Sequence, residues 1–166
     1  MPLKQDLDIF QTCVLLSWIE PKHFINGKVN YVYDAFLADI LKFVQQLEIE
    51  KSPRKKIINL SKIFSSIINL EKFNGGKGFQ GVDDNLPILN YAIIKSKPFQ
   101  LYSNTKYIEL FSGHKCNQLE GNQLYQLLTI CEICQKITYK ELNNISEEEF
   151  ERKCSESRMA LNENVV

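Results

Sequence analysis

Net charge is the first thing this chain lacks, because its 20 basic residues are matched by 20 acidic ones. With no excess of either sign, contact with nucleic acid or an anionic membrane would have to come from a local patch. Long apolar runs are missing too: none approaches the roughly 18 residues of a membrane-spanning helix, and the polar opening Lys4-Gln5-Asp6 does not have the form of a secretory signal. Histidine is scarce. His23 and His114 stand far apart, and no hydrolase pattern surrounds any serine or cysteine, so covalent catalysis has no anchor. The cysteines (Cys13, Cys116, Cys131, Cys134, Cys154) are odd in number and irregular in spacing, as expected of reduced thiols in a cytosolic chain. There is no internal repeat, no low-complexity linker and no sustained alternation of period two, which excludes an extensive sheet.

What is present is helical periodicity. Leu7, Phe10, Val14 and Trp18 recur at spacings of three and four over residues 6–19, with Pro21 just beyond, and predict an amphipathic helix. A second helix is expected over 30–48, with Val32, Phe36, Ile40, Phe43 and Leu47 on one face. Ser52-Pro53 marks a fresh start, since proline is tolerated in a first turn, and Ile57, Leu60, Phe64, Ile67 and Ile68 continue as a third stripe. Leu86 to Ile94 is nearly all apolar; Asp83 and Asp84 ahead of it, and Pro87 in its first turn, favour a helix buried on most faces over a strand. Lys95 to Pro98 ends it. A short helix follows over 102–111, then another over 122–138 with Leu124, Leu127, Leu128, Cys131, Cys134 and Ile137 inward. Ser146 with Glu149 forms a capping box for a short last helix, and residues after Cys154 are expected to fray. The fold class is therefore all-α, a layered bundle of six to seven helices over 1–154 with a flexible tail at 155–166. At 166 residues it is one domain, long enough to bury about two-thirds of its unfolded surface.

Several motifs invite chemistry and fall short of it. Gly75-Gly76-Lys77-Gly78 suggests a phosphate loop, but the residue after the lysine must carry a hydroxyl for magnesium, and here it is Gly78. Cys131 and Cys134 have a redox or zinc spacing, yet they lie in an apolar helical stripe with no second ligand pair, and read as core thiols. Lys51, Arg54, Lys55 and Lys56 read as a solvated helix start, the alternative being a membrane-facing patch. No metal and no cofactor is called for. Asp83-Asp84 at a helix mouth is by itself a cap that satisfies orphan N–H groups and the helix dipole while leaving an acidic side chain facing outward.

The context of that pair is more specific. Asp83, Asp84, Asn85, Leu86 and Pro87, followed by Pro98, Ser103, Asn104, Tyr107 and Ile108, resembles the signature of the vacuolar protein sorting nine domain, a family of guanine nucleotide exchange factors for Rab-five-type GTPases. Ser17 to Phe24 looks like the family's first helix and its exit, Pro53 to Leu70 like its third, Gly121 and Tyr125 like the start of its sixth, and Ile145 to Phe150 like its close, so the resemblance runs over about 7–153 in family order.

The resemblance implies a binding partner, a Rab-five-type small GTPase in its nucleotide-free or GDP-bound form, and no covalent chemistry. It implies a cytoplasmic protein peripheral on endosomal membranes, with membrane contact indirect or through regions outside this chain. Asp83, four positions before the family proline Pro87, takes the role of the acidic residue pushed into the partner's phosphate and magnesium site, and Asp84 that of the cap. Pro87 shapes the helix start. The family tyrosine, which packs on the partner, maps to Tyr125, or to Gln123 if the alignment is run without a gap from the C-terminal end. Asn104 and Tyr107 match family positions and are expected to be structural. Where the family usually carries threonine, three residues after the tyrosine, this chain has Leu128; Thr129 is rotated by about 100° and cannot stand in. Two rival readings remain: a Rab-binding module of the same fold with little exchange activity, and a metal-dependent phosphate hydrolase using Asp83 and Asp84.

Overall fold

The computed structural model describes residues 1–24, 31–73 and 82–164, with the side chains of residues 31–33, 82–84 and 113 outside that description. Among the described residues there are seven α-helices and no strand: α1 Lys4–Leu15, α2 Tyr31–Ile49, α3 Pro53–Phe73, α4 Val82–Ser96, α5 Leu101–Ser112, α6 Gln118–Ile133 and α7 Glu147–Glu163. Short 3-10 turns at Pro21–His23, Gly113–Lys115 and Tyr139–Glu141 connect them. The glycine loop 75–78 lies outside the described residues.

α2 and α3 form a hairpin fastened at its bend, where Glu50 Oε1 accepts from the backbone N–H groups of Lys51 (2.9 Å) and Ser52 (3.0 Å). These bonds, that from Ser52 foremost, hold the Glu50 carboxyl below its ordinary pKa. Ile40, Val44 and Leu47 of α2 meet Ile57, Leu60, Ile63, Phe64, Ile67 and Leu70 of α3 in the core. α4 packs against α1, α2, α3 and α6. Every residue from Ile88 to Ile94 is accordingly buried, which explains an apolar run with no polar face. Lys97, at φ 50°, turns the chain out of α4, and its N–H closes on Ile93 O at 3.1 Å, with Pro98 blocking continuation.

Three expectations shift. α1 buries Asp6, Ile9 and Cys13, not Leu7, which is exposed: the inward stripe lies one residue earlier than hydrophobicity alone indicates. The reason is Asp6, whose carboxylate caps Leu3 N–H (3.0 Å) and accepts from Ser103 N–H (2.9 Å) and the Ser103 hydroxyl, so a charged residue occupies an inward position. α6 begins at Gln118 and ends at Ile133, about four residues before the expected span at both ends, because Asn117 Oδ1 caps Glu120 N–H at 2.8 Å. α7 does not fray after Cys154; it runs to Glu163, with Phe150 and Cys154 docked in the core and the residues beyond them almost all exposed. Ser146 Oγ caps it by accepting from Glu149 N–H at 3.1 Å.

Candidate functional site

α4 starts at Val82, so Asp83 and Asp84 are its second and third residues and lie within its first turn instead of ahead of it. The expected cap role of Asp84 is corrected in that sense: an acidic residue there still faces the positive end of the helix dipole, but it does not flank the helix from outside. Pro87 likewise sits inside the helix, beyond the first turn. Having no N–H, it cannot bond the carbonyl four residues back, which belongs to Asp83. The turn that carries the acidic pair thus lacks one of the helix's own bonds. The helical repeat puts position 83 on the face of α4 that carries Pro87.

That face borders a cleft of about 270 Å³ lined by Leu86, Pro87 and Asn90 of α4, Ile133 of α6, and Phe24, Glu141 and Asn143 from the connecting segments. Asn90 closes its floor by accepting from Cys134 Sγ at 3.1 Å, a bond that fastens α4 to the end of α6.

On α6, Tyr125 is 67% exposed and available to a partner. Gln123, the other position for the family tyrosine, is buried and accepts from Ser61 Oγ at 2.9 Å, so it is occupied within the domain. Leu128 is half-buried. Thr129 Oγ1 donates to its own helix at Tyr125 O, 3.0 Å away, and is not directed at Leu128's position. Of the apolar residues expected around a groove, Leu89 and Ile93 are fully buried and Leu124 nearly so, which leaves Leu128 as the one a partner can reach.

The remaining motif residues make hydrogen bonds within the domain. Asn104 Nδ2 donates to Gln100 O (2.8 Å) at the start of α5, while its Oδ1 accepts from Lys56 Nζ at 2.6 Å. Tyr107 donates its hydroxyl to Lys51 O at 3.2 Å and packs at a tilt against Phe111, ring centroids 4.8 Å apart. Lys56 overturns the reading of its basic run as solvated: only 3% exposed, it reaches back to Leu47 O (2.5 Å) as well as to Asn104, and burial lowers its pKa. Arg54 of the same run pairs with the buried Glu120 of α6. Sequence reasoning also missed Asp6, whose first-turn position before an apolar helix was the available signal.

The thiols are ordinary core groups. Cys13 and Cys131 are pushed up to about 12, and Cys134 well above its ordinary value, all by burial. Cys131 Sγ lies 3.6 Å from Thr105 Oγ1. His23 is buried with Nδ1 accepting from Glu20 N–H at 2.9 Å, and its ring packs edge-on against Trp18. Burial, and then the charge of Lys22, lowers its pKa. Among the described residues no group of three or more His, Cys, Asp or Glu side chains could hold a metal ion, and no helix is long and apolar enough to cross a membrane.

Comparison with known proteins bears on the same elements. The family model described as "Vacuolar sorting protein 9 (VPS9) domain" matches residues 37–142, well over half of the chain. This chain belongs to the VPS9 domain family. The VPS9 domain described here is similar to a Rab5 GDP/GTP exchange factor of Bos taurus, 28% identical over an alignment of 158 positions that covers 90% of this chain and 31% of that protein. It is similar to the vacuolar protein sorting-associated protein vps901 of Schizosaccharomyces pombe, 32% identical over an alignment of 187 positions, gaps included, that covers 99% of this chain and 31% of that protein. Vacuolar protein sorting-associated protein 9A of Arabidopsis thaliana is 29% identical over 125 residues, 72% of this chain and 24% of that protein. The chain therefore spans about a third of the length of the curated relatives it matches most fully.

Proposed function

We propose that this VPS9 domain is a guanine nucleotide exchange factor that promotes GDP release from a Rab5-type small GTPase in endosomal and vacuolar trafficking, with the Asp83 carboxylate acting in the partner's phosphate site. The observation that carries the reading is the acidic pair in the first turn of α4, on a helix that packs against the α6 bearing the exposed Tyr125. The name of the Bos taurus relative supplies the reaction class.

The chemistry needs no covalent step. A small GTPase holds GDP through a P-loop lysine on the phosphates together with magnesium. A domain that binds the nucleotide-free form more tightly than the GDP form weakens GDP binding by the same factor. A carboxylate brought to the phosphate site offers the lysine a substitute anion and repels the departing phosphates, an interaction strengthened where water is excluded. Asp83 supplies that anion, Pro87 and Tyr125 contact the partner, and Leu128 makes an apolar contact where the family usually has threonine. The domain works at the endosomal membrane surface as a peripheral protein.

The test is stopped-flow release of labelled GDP from a Rab5-type GTPase. Asp83→Ala and Asp83→Asn are expected to abolish or greatly slow release, since the amide keeps the shape without the charge, while Asp84→Ala keeps most of the activity. Either change costs about 1 kcal/mol of stability at most, the scale of a first-turn carboxylate. Wild-type release with Asp83→Ala removes the mechanism. Leu128 favours the second reading, a Rab-binding module with little exchange activity, and binding without accelerated release by the wild-type domain would establish that instead.

A further inference from the structure

One end of the bundle gathers four helix termini. The bend from α2 into α3 is met there by the end of α5, where the Tyr107 hydroxyl donates to Lys51 O, and by the start of α6, where Glu120 pairs with Arg54 of α3. Three large apolar side chains stand out from this end without cover: Leu110 is 71% exposed, Leu119 64%, and Phe111 59% although its ring packs on Tyr107. None of them belongs to the core, and each loses free energy by standing in water. The charges around them are unevenly used. Glu48 accepts from Gln100 N–H and Glu50 from the N–H groups of Lys51 and Ser52, Glu109 pairs with Lys106, and Glu120 with Arg54, so these carboxylates are engaged within the domain. Lys51, Lys55 and Lys115 are exposed and, among the described residues, stand in no ion pair.

Apolar tips among unpaired lysines select the kind of partner. A protein interface favours aromatic residues at its centre but is depleted in lysine, a long side chain that is costly to order. A bilayer carrying anionic lipids takes both kinds of residue: apolar side chains enter the boundary between headgroups and acyl chains, while lysines near the surface are drawn by its negative potential. We propose that this end of the bundle docks onto an anionic lipid bilayer, with Leu110, Phe111 and Leu119 entering the headgroup boundary and Lys51, Lys55 and Lys115 meeting the lipid phosphates and carboxylates. The chain as a whole carries no net charge, so the attraction comes from the local surplus of free ammonium groups. Tyr125 lies six residues beyond Leu119, about 9 Å along α6 and about 120° round it, so a bilayer at the end of the bundle and a protein partner at Tyr125 use different faces. Membrane contact then lies within this chain and not only in regions outside it. It does not depend on exchange activity.

The experiment measures flotation of the full chain with vesicles of phosphatidylcholine alone and of phosphatidylcholine mixed with phosphatidylserine, over a range of salt. The chain is expected to bind the mixed vesicles, to bind the neutral ones about tenfold more weakly, and to be released as salt rises. Lys51→Gln with Lys55→Gln should weaken binding about twentyfold, at about fivefold for each lysine at the surface. Leu110→Ser with Leu119→Ser should weaken it about tenfold or more. All four side chains are exposed, so circular dichroism should show both variants melting close to the unchanged chain. Lys136→Gln with Lys140→Gln, exposed beyond the other end of α6, removes the same charge and should leave binding as it was. No binding to the mixed vesicles would overturn the proposal, as would full binding by the leucine variant. Equal weakening by the two lysine pairs would overturn it too, since that marks a general charge effect belonging to no particular face. So would a dimer, seen by sedimentation without lipid, that Leu110→Ser with Leu119→Ser abolishes, because the apolar tips would then belong to a contact with a second copy.

Discussion

Replacing Lys56 by methionine tests whether a residue in a basic run is a solvated lysine or an internal fastener. Its ammonium serves two acceptors. One is Leu47 O, a carbonyl in the last turn of α2, where no helical N–H is available because Lys51 N–H is turned to the Glu50 side chain. The other is Asn104 Oδ1 of α5. Lys56→Met leaves both acceptors unpaired, at about 1–3 kcal/mol each. Against this, the variant no longer desolvates an ammonium group, a burden seen in the lowered Lys56 pKa, and it keeps the apolar stem. A net loss of about 2–4 kcal/mol follows. At about 2–4 °C per kcal/mol for a domain of this size, the melting temperature should fall by about 5–15 °C. Thermal unfolding by circular dichroism measures it, and a double-mutant cycle with Asn104→Ala should give a coupling of about 1 kcal/mol or more. A change within about 0.5 kcal/mol, the ordinary result at a surface lysine, would refute the reasoning.

Leu128→Thr should alter the GDP-release rate while costing about 1 kcal/mol, since a half-buried leucine loses only part of its apolar burial; a loss beyond about 3 kcal/mol would place Leu128 in the core and away from the partner. His23 gives a pH dependence of definite sign. Its folded pKa is lowered below 6.5 while the unfolded value stays near 6.5, so its stabilising contribution is complete above that pH and is lost as pH falls from 6.5 toward the folded value. The melting temperature should decline over that interval, and a titration of His23 by nuclear magnetic resonance giving a value above 6.5 would contradict the assignment.

Elements whose signals are local were legible in the sequence, and those whose partners are remote were not. α4 illustrates the first kind. An apolar run with β-branched residues fits a strand as well as a helix, and the acidic pair with Pro87 decided for the helix, as the burial of Ile88 through Ile94 on all sides bears out. α6 had a local start signal in Asn117 with Glu120 three residues on, and Gly121 drew attention past it. Lys56 belongs to the second kind. Its spacing of four and seven residues from Leu60 and Ile63 puts it on the inward face, unlike the exposed Lys55, but the acceptor that lets a charge sit there, Asn104, arrives from 48 residues away. The register of α1 slipped for the same reason: Asp6 faces inward only because Ser103, 97 residues away, meets it.

Asp6 and Asn85 are polar side chains buried to the same extent in different ways. Both lie near the start of a helix, and both are 0% exposed. Burial alone would rank them together. Both Asp6 oxygens, however, are occupied, by Leu3 N–H and by the N–H and hydroxyl of Ser103, so its charge is fully used in holding α1 against α5. Asn85 holds nothing. A buried polar group that is satisfied explains itself through the fold, whereas one left unsatisfied lowers the stability of the free domain with no return inside it.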